Sequence, residues 1–480
     1  THTHTHTHTH THTHTHTHNA HTYTHLYSPH ILNTVGATGF LGVFLLDELL
    51  KQLHTTTEGR KVYCLLRGVE SEEEGERKLT DWLKANRCWA ESHRGKFVAV
   101  PGDLARPFFG LSKKRFADLA RQVSTIYHVG AWVNGILPYS RLRDTNVGGT
   151  IEALRLAGLA AHSRRHTADN NNSNDNNSNN EDRRVVALHY VSTAAVFNCY
   201  PGGEVMREDH PLADTPAAAT MDGYSRSKWI ADRLVLHAQQ QTQQPQHPQH
   251  TQQPQQPQHK SPFGDLSITI FRPGFISGHH KSGVGNQHDF DTRMFIGLKQ
   301  MGMVPPTANR INNSNDPISP NRANQKHSNS NDQISSRSHL MMKMDMSPVD
   351  HVAGAIAAIS NHAESRGRSY HFMNPEGSLT VEEVLGAFVA FWCDRGESLR
   401  EVESYETWWR ELQRVPASNP LYPLKAAFGK DHFPGREGRR CDCSNTIEAL
   451  TKLGMPTYVS LDRDYITALL GHLSSSFSSS

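Results

Sequence analysis

The sequence predicts an α/β fold, a doubly wound parallel sheet followed by a smaller C-terminal domain, and three observations carry that prediction. Short β-branched runs alternate with helical apolar spacing from residue 31 onward, the pattern of a parallel sheet with crossover helices. A glycine-spaced turn, Gly36-Ala37-Thr38-Gly39-Phe40-Leu41-Gly42, joins the first such run to the first helical stretch. Of four low-complexity tracts, the one at 1–30 precedes the patterned segments and those at 167–182, 239–260 and 307–338 fall between them. Their Thr-His, Asn/Ser and Gln/Pro/His compositions carry too little apolar surface to offset chain entropy, so disordered insertions are expected. Long loops add little closure cost, and the fold is expected to survive them.

The first unit is the most informative. The run Ile31-Leu32-Asn33-Thr34-Val35 reads as a strand, and Val43 through Leu50 as a helix. Between them, Gly36 permits a tight turn, Gly39 lets the backbone approach a pyrophosphate, and Gly42 lets helix and strand pack closely. This is a Rossmann-like dinucleotide fingerprint, although a plain glycine turn gives the same letters. The second strand, Val62-Tyr63-Cys64-Leu65-Leu66, ends in Arg67, where an NAD-preferring fold carries an acid. An arginine there suits a 2′-phosphate, with Arg77 and Lys78 nearby, so NADP(H) is the expected cofactor.

Two further strands, at 98–101 and 126–128, lead into Gly102-Asp103-Leu104 and Gly130-Ala131 at the face where ligands collect. His128, alone at a strand end, reads as structural. The run Leu188-His189-Tyr190-Val191-Ser192-Thr193 is a strand ending in hydroxyls, and Gly223-Tyr224-Ser225-Arg226-Ser227-Lys228-Trp229 opens an amphipathic helix. Tyr224 and Lys228, four apart, share one helical face. An ammonium beside a phenol is expected to draw its pKa of about 10 toward working pH and make Tyr224 a general acid.

Composition bounds the rest. Lys+Arg 49 against Asp+Glu 47 gives a net charge of +2, which excludes a basic polyanion binder, so no nucleic-acid partner is expected. No apolar run approaches the roughly 18 residues that cross a bilayer, and no charged leader opens the chain. A cytoplasmic protein with no membrane partner is expected. Six scattered cysteines suit a reducing compartment. Cys441 and Cys443 form a single C-x-C without a second pair, and the Thr-His tract resembles a translated short repeat, so no metal site is assigned. A chain opening on Thr1 in mid-repeat is expected to continue a longer polypeptide, though a misplaced gene start would look the same.

With these motifs in order, the chain resembles the extended short-chain dehydrogenase/reductases, and within them the thioester reductase domains. Such domains close nonribosomal peptide synthetases, carboxylic acid reductases and fungal α-aminoadipate reductases. The matching stretches are residues 36–42, 62–67, 102–104, Pro138 through Val147, 224–229, Arg272-Pro273-Gly274, Gly278-His279-His280-Lys281-Ser282-Gly283, and Ser347-Pro348-Val349-Asp350. They span nearly all of 31–470 outside the tracts.

The resemblance implies a catalytic set of Thr193, Tyr224 and Lys228, with Thr193 and Tyr224 on the substrate carbonyl, Tyr224 and Lys228 also among the cofactor-binding residues, and Lys228 on the nicotinamide ribose. It implies that Gly36, Thr38, Gly39, Phe40, Leu41 and Gly42 hold phosphate, Arg67 the 2′-phosphate, and Asp103 and Leu104 the adenine. Gly130 and Ala131 fall near the nicotinamide ribose, and Asn146 supports the structure. Val35 and Phe197-Asn198-Cys199 depart from the family pattern. The implied domains are 31–274 for the cofactor, interrupted at 167–182 and 239–260, and mainly 275–470 for substrate and carrier, interrupted at 307–338, with 471–480 a tail.

The implied reaction is reduction of an acyl thioester on a carrier domain's phosphopantetheine arm, or on CoA, to an aldehyde, with further reduction to an alcohol left open. That carrier would stand in the same parent polypeptide or apart from it. In the second domain, Tyr405 through Leu412 reads as an amphipathic helix whose two tryptophans belong to a core. Two alternatives remain at this stage. One is a nucleotide-sugar epimerase or dehydratase, disfavoured because Ala194-Ala195 and not an acidic pair follows Thr193. The other is a non-catalytic NADP-binding scaffold.

Overall fold

The computed structural model describes residues 30–34, 36–53, 60–170, 185–201, 203–243, 266–306, 343–374, 377–430 and 440–477. Seven parallel strands form the main sheet: β1 (His30–Thr34), β2 (Lys61–Leu66), β3 (Phe97–Pro101), β4 (Thr125–His128), β5 (Val186–Val191), β6 (Leu266–Pro273) and β7 (Ser369–Phe372). Their order across the sheet is 3-2-1-4-5-6-7. The strand order reverses between β1 and β4, and ligands of doubly wound sheets collect at that switch point.

Helices cover both faces, which is why the strands read as nearly continuous apolar runs. On one face α3 (Lys113–Gln122), α4 (Gly149–Asn170) and α5 (Gly223–Gln243) pack through Leu119, Leu156 and Val235 onto Leu188 and Ile268. On the other, α1 (Phe40–Gln52), α2 (Glu72–Ala85) and α7 (Val349–Ser360) bury Leu45, Leu79 and Ile356 against Val62 and Phe271. The helix α10 (Ser444–Lys452) adds Leu450 to this second cluster, while a third joins α6 (Phe290–Met301), α8 (Val381–Cys393), α9 (Tyr405–Arg414) and α11 (Arg463–Phe477). Trp408 is wholly buried there, and Trp409 is half-buried with its indole N–H on the Phe428 carbonyl at 3.1 Å. Both tryptophans therefore serve the core.

Two expected boundaries shift. A division at 274/275 would cut the sheet, because β7 pairs in register with β6, Phe372 opposite Pro273, and α7 covers α1. Pairing so distant in sequence leaves no local pattern to read. The tracts lie almost wholly outside the described residues, but α4 reaches Asn170 and α5 reaches Gln243. Gln239, placed in a tract by composition, is buried in α5 and donates to the Ile268 carbonyl at 3.0 Å. Glutamine favours helix, and the strand carbonyl satisfies its amide. Among the described residues no helix is long and apolar enough to cross a membrane.

Candidate active site

The glycine turn sits at the sheet's switch point. Gly36 adopts φ +96°, and a Cβ built on it would stand 3.1 Å from the Gly130 Cα, so the ends of β1 and β4 meet where only glycines fit. The Gly39 N–H donates to the Gly36 carbonyl at 2.7 Å, and α1 starts at the next residue with no side-chain cap and no acid in its first turn. An uncapped helix N-terminus facing a crevice favours a phosphate. A Cβ on Gly42 would lie 1.6 Å from the Gly36 oxygen. Gly42→Ala must therefore push α1 off the turn, and NADPH affinity is expected to fall by about tenfold or more, one ordinary phosphate contact or worse, in a fluorescence titration.

The other cofactor positions divide. Arg67 follows β2 with an exposed side chain, and its carbonyl accepts from Lys78 Nζ at 3.2 Å, which adds a second cation to that rim. Asp103 uses one carboxylate oxygen to accept from the Ala105 N–H at 3.0 Å. Thr38 and Ala131 are half-buried along the crevice, and Phe40 stacks edge-on against Phe44. Leu41 and Leu104 are core side chains, the latter pressed against Gly149. Those two can offer a ligand only their backbone.

Thr193 lies just past β5, where its hydroxyl accepts from the Ala195 N–H at 3.2 Å. β5 pairs with β6 up to Val191 opposite Phe271, two residues before Thr193. Tyr224 stands in the first turn of α5, close enough to Thr193 for a hydrogen bond between the hydroxyls that favours the phenolate. Burial outweighs that bond and pushes the Tyr224 phenol up to about 12. Lys228, one turn on, is buried, and burial brings it down to about 7 although Asp232 opposes the shift.

The structure corrects the expected Tyr224–Lys228 electrostatics. The Lys228 ammonium donates to the Tyr190 hydroxyl at 2.9 Å and to the Val191 carbonyl at 3.0 Å. The lysine side chain ends on the strand, and burial keeps the Tyr224 phenol protonated at neutral pH. The titrating member of the pair is the lysine. That still suits Tyr224 as a proton donor.

Supporting residues converge from several elements. Asn146 lies in a single π-helical turn, Asp144–Gly148, a feature frequent near functional sites. Its oxygen accepts from the Trp132 N–H at 2.7 Å, and its amide donates to Ser227 Oγ at 2.8 Å, tying the loop after β4 to α5. His128 is buried, its Nε2 3.0 Å from Thr150 Oγ1, and burial holds it down to about 3. It is neutral, as a structural histidine should be. Sequence reasoning missed Tyr190 as a partner of Lys228. Period-two alternation along β5 could have found it, since residues 188 and 190 share the face that α5 covers.

A 3-2-1-4-5-6-7 parallel sheet with a glycine turn at its switch point, and Thr, Tyr and Lys gathered at the end of β5, defines an NAD(P)-dependent oxidoreductase of the short-chain dehydrogenase/reductase class. The model of the male sterility protein family, an NAD-binding family, matches residues 34–246 and 258–356. The chain belongs to that family, as a domain of the thioester reductase type.

Among its relatives, the nonribosomal peptide synthetase asaC of Aspergillus flavus is 30% identical over 81% of this chain. The L-2-aminoadipate reductase of Schizosaccharomyces pombe is 27% identical over 88% of it. The chain spans only 30% and 24% of these two proteins. The terminal R domain from the myxalamid PKS-NRPS biosynthetic pathway is 29% identical, with a TM-score of 0.66, covering 94% of this chain and 92% of that one.

Proposed function

We propose that this chain catalyses NADPH-dependent reductive release of an acyl thioester, carried on a phosphopantetheine arm or CoA, as an aldehyde. The observation that supports it most is the meeting of Thr193 and Tyr224 at the end of β5, next to buried Lys228 and beside the glycine turn at the switch point. The residues present fit a dinucleotide, since the cradle at Gly36 and Gly42 has no room for a Cβ and α1 offers an uncapped N-terminus.

When bound, NADPH supplies the hydride to the thioester carbonyl. Thr193 and Tyr224 hold the carbonyl oxygen from two sides and stabilise the charge that develops on it, and Tyr224, still protonated at neutral pH, gives that oxygen its proton. Collapse of the hemithioacetal then frees the thiol and the aldehyde. Lys228 holds the ribose edge. The cluster of α6, α8, α9 and α11 takes the acyl group and its carrier, which this reading places upstream in a parent polypeptide or in a separate partner. The cysteine usage suits a reducing cytoplasm.

The test is NADPH oxidation by the chain on a panel of acyl thioesters, with the aldehyde trapped and identified. Aldehyde in step with NADPH consumed supports the proposal; NADPH binding without release from any thioester overturns it. Cofactor choice rests on Arg67. Arg67→Ala is expected to shrink the preference for NADPH over NADH by about tenfold, one charge-assisted phosphate contact, read as the ratio of kcat/KM values. Equal use of both cofactors by the unmodified chain would remove the role of Arg67.

A further inference from the structure

Lys228 is surrounded more closely than its shared helical face with Tyr224 suggests. An ammonium has three protons to donate. Two are committed, to the Tyr190 hydroxyl at 2.9 Å and the Val191 carbonyl at 3.0 Å, which leaves one. Tyr190 is wholly buried, and its ring centre lies 4.4 Å from the ammonium, so ring face and hydroxyl both bear on the cation.

Other charges around Lys228 give it little help. Asp232, one turn along α5, supports the ammonium, but Arg272 of β6 grips that carboxylate with two hydrogen bonds. His128 from β4 lies close enough to feel the lysine's charge, and burial keeps it neutral. Its Nε2 meets Thr150 Oγ1, whose own proton goes to the Asn146 carbonyl at 2.7 Å. The ring therefore donates through Nε2, and its Nδ1 is a buried acceptor without a partner. Tyr224 on α5 is protonated at neutral pH. Among the described residues, the Tyr190 oxygen is the one side-chain atom that accepts a hydrogen bond from the ammonium.

We propose that Tyr190 is a positioning residue for Lys228: its hydroxyl accepts one ammonium proton, directs the remaining one to the cofactor ribose, and keeps the lysine charged at working pH. The inference rests on the proposed role of Lys228 toward the cofactor, and it does not depend on thioester release. A hydrogen bond accepted from an ammonium favours the charged form, so its loss lowers the lysine pKa. Lys228 already titrates at about 7, so a small further drop empties the charged form where the enzyme works.

The experiment compares NADPH affinity, by fluorescence titration across neutral pH, for the unmodified chain and Tyr190→Phe, with aldehyde release from an acyl thioester followed on the same samples. The unmodified chain should lose affinity as pH rises through about 7. Tyr190→Phe keeps the ring, so its shortfall should be smallest at low pH and widen as pH rises, by about a further tenfold for a pKa drop of one unit. A constant offset at every pH, which a purely structural role would give, or superimposed profiles, would overturn the proposal. If Tyr190→Phe does not fold, 4-fluorophenylalanine at position 190 fills the place of the hydroxyl with a much weaker acceptor that does not titrate, and it should shift the profile the same way; no shift overturns the proposal equally. A chain that shows this pH behaviour yet releases no aldehyde from thioesters refutes the proposed function alone, and one that binds no NADPH refutes both.

Discussion

Tyr224→Phe is expected to lower kcat by about 10²- to 10⁴-fold, the usual contribution of a positioned proton donor, while NADPH affinity stays nearly unchanged. The substitution removes one oxygen and leaves the ring in place. The glycine turn, Arg67 and Lys228 are untouched, so cofactor binding has no reason to change. Loss should appear in kcat and kcat/KM together, because the phenol acts where charge develops on the carbonyl oxygen and adds little to ground-state binding. With the phenol pushed up to about 12, the donor is protonated throughout the neutral range, so the fold loss should be nearly constant from pH 6 to 8. Steady-state kinetics on a thioester and NADPH titration on the same preparation check it. A loss under about tenfold would remove Tyr224 from the chemistry, since a proton donor cannot be that dispensable.

What the sequence showed of this site follows a physical division. The turn at 36–42 was legible because each glycine answers a local demand, a positive φ or a close approach, and local demands are written in local spacing. The pairing of Thr193 with Tyr224 was legible as far as strand end and helix start can be read one after the other. Three features were not. Lys228 bonds a residue 38 positions away in the chain, so the i,i+4 rule named Tyr224 as its partner and missed Tyr190. The resemblance sets Leu104 with Asp103 at the adenine, and only packing against Gly149 shows that its side chain is core. The seventh strand comes from 369–372, beyond the tract at 307–338, and nothing near it records that β6 is its neighbour. Composition likewise gave Gln239 to a tract because it lacks the strand carbonyl that satisfies the buried amide.

The largest expected effect on stability lies one turn beyond Lys228. Arg272 and Asp232 are both wholly buried, and the guanidinium meets the carboxylate through Nε at 2.8 Å and Nη2 at 2.9 Å. The remaining Nη1 donates to the Glu208 carbonyl at 3.0 Å, and the guanidinium faces the Phe197 ring. This fork fastens α5, which carries Tyr224 and Lys228, to β6 in the sheet. Arg272→Met keeps much of the volume but strands a buried carboxylate, and breaking such a pair from one side costs about 3–5 kcal/mol. Arg272→Lys should recover only part of this, because one ammonium cannot reproduce two parallel N–H bonds. The double variant Arg272→Met, Asp232→Leu removes both charges and should be far more stable than Arg272→Met alone, since the cost lies in the unpaired charge and not in the absent attraction. Urea unfolding of the three variants separates the cases: a double variant no more stable than the single would mean that the arginine acts through packing on Phe197 and Glu208, and that the ion pair does not fasten the catalytic helix.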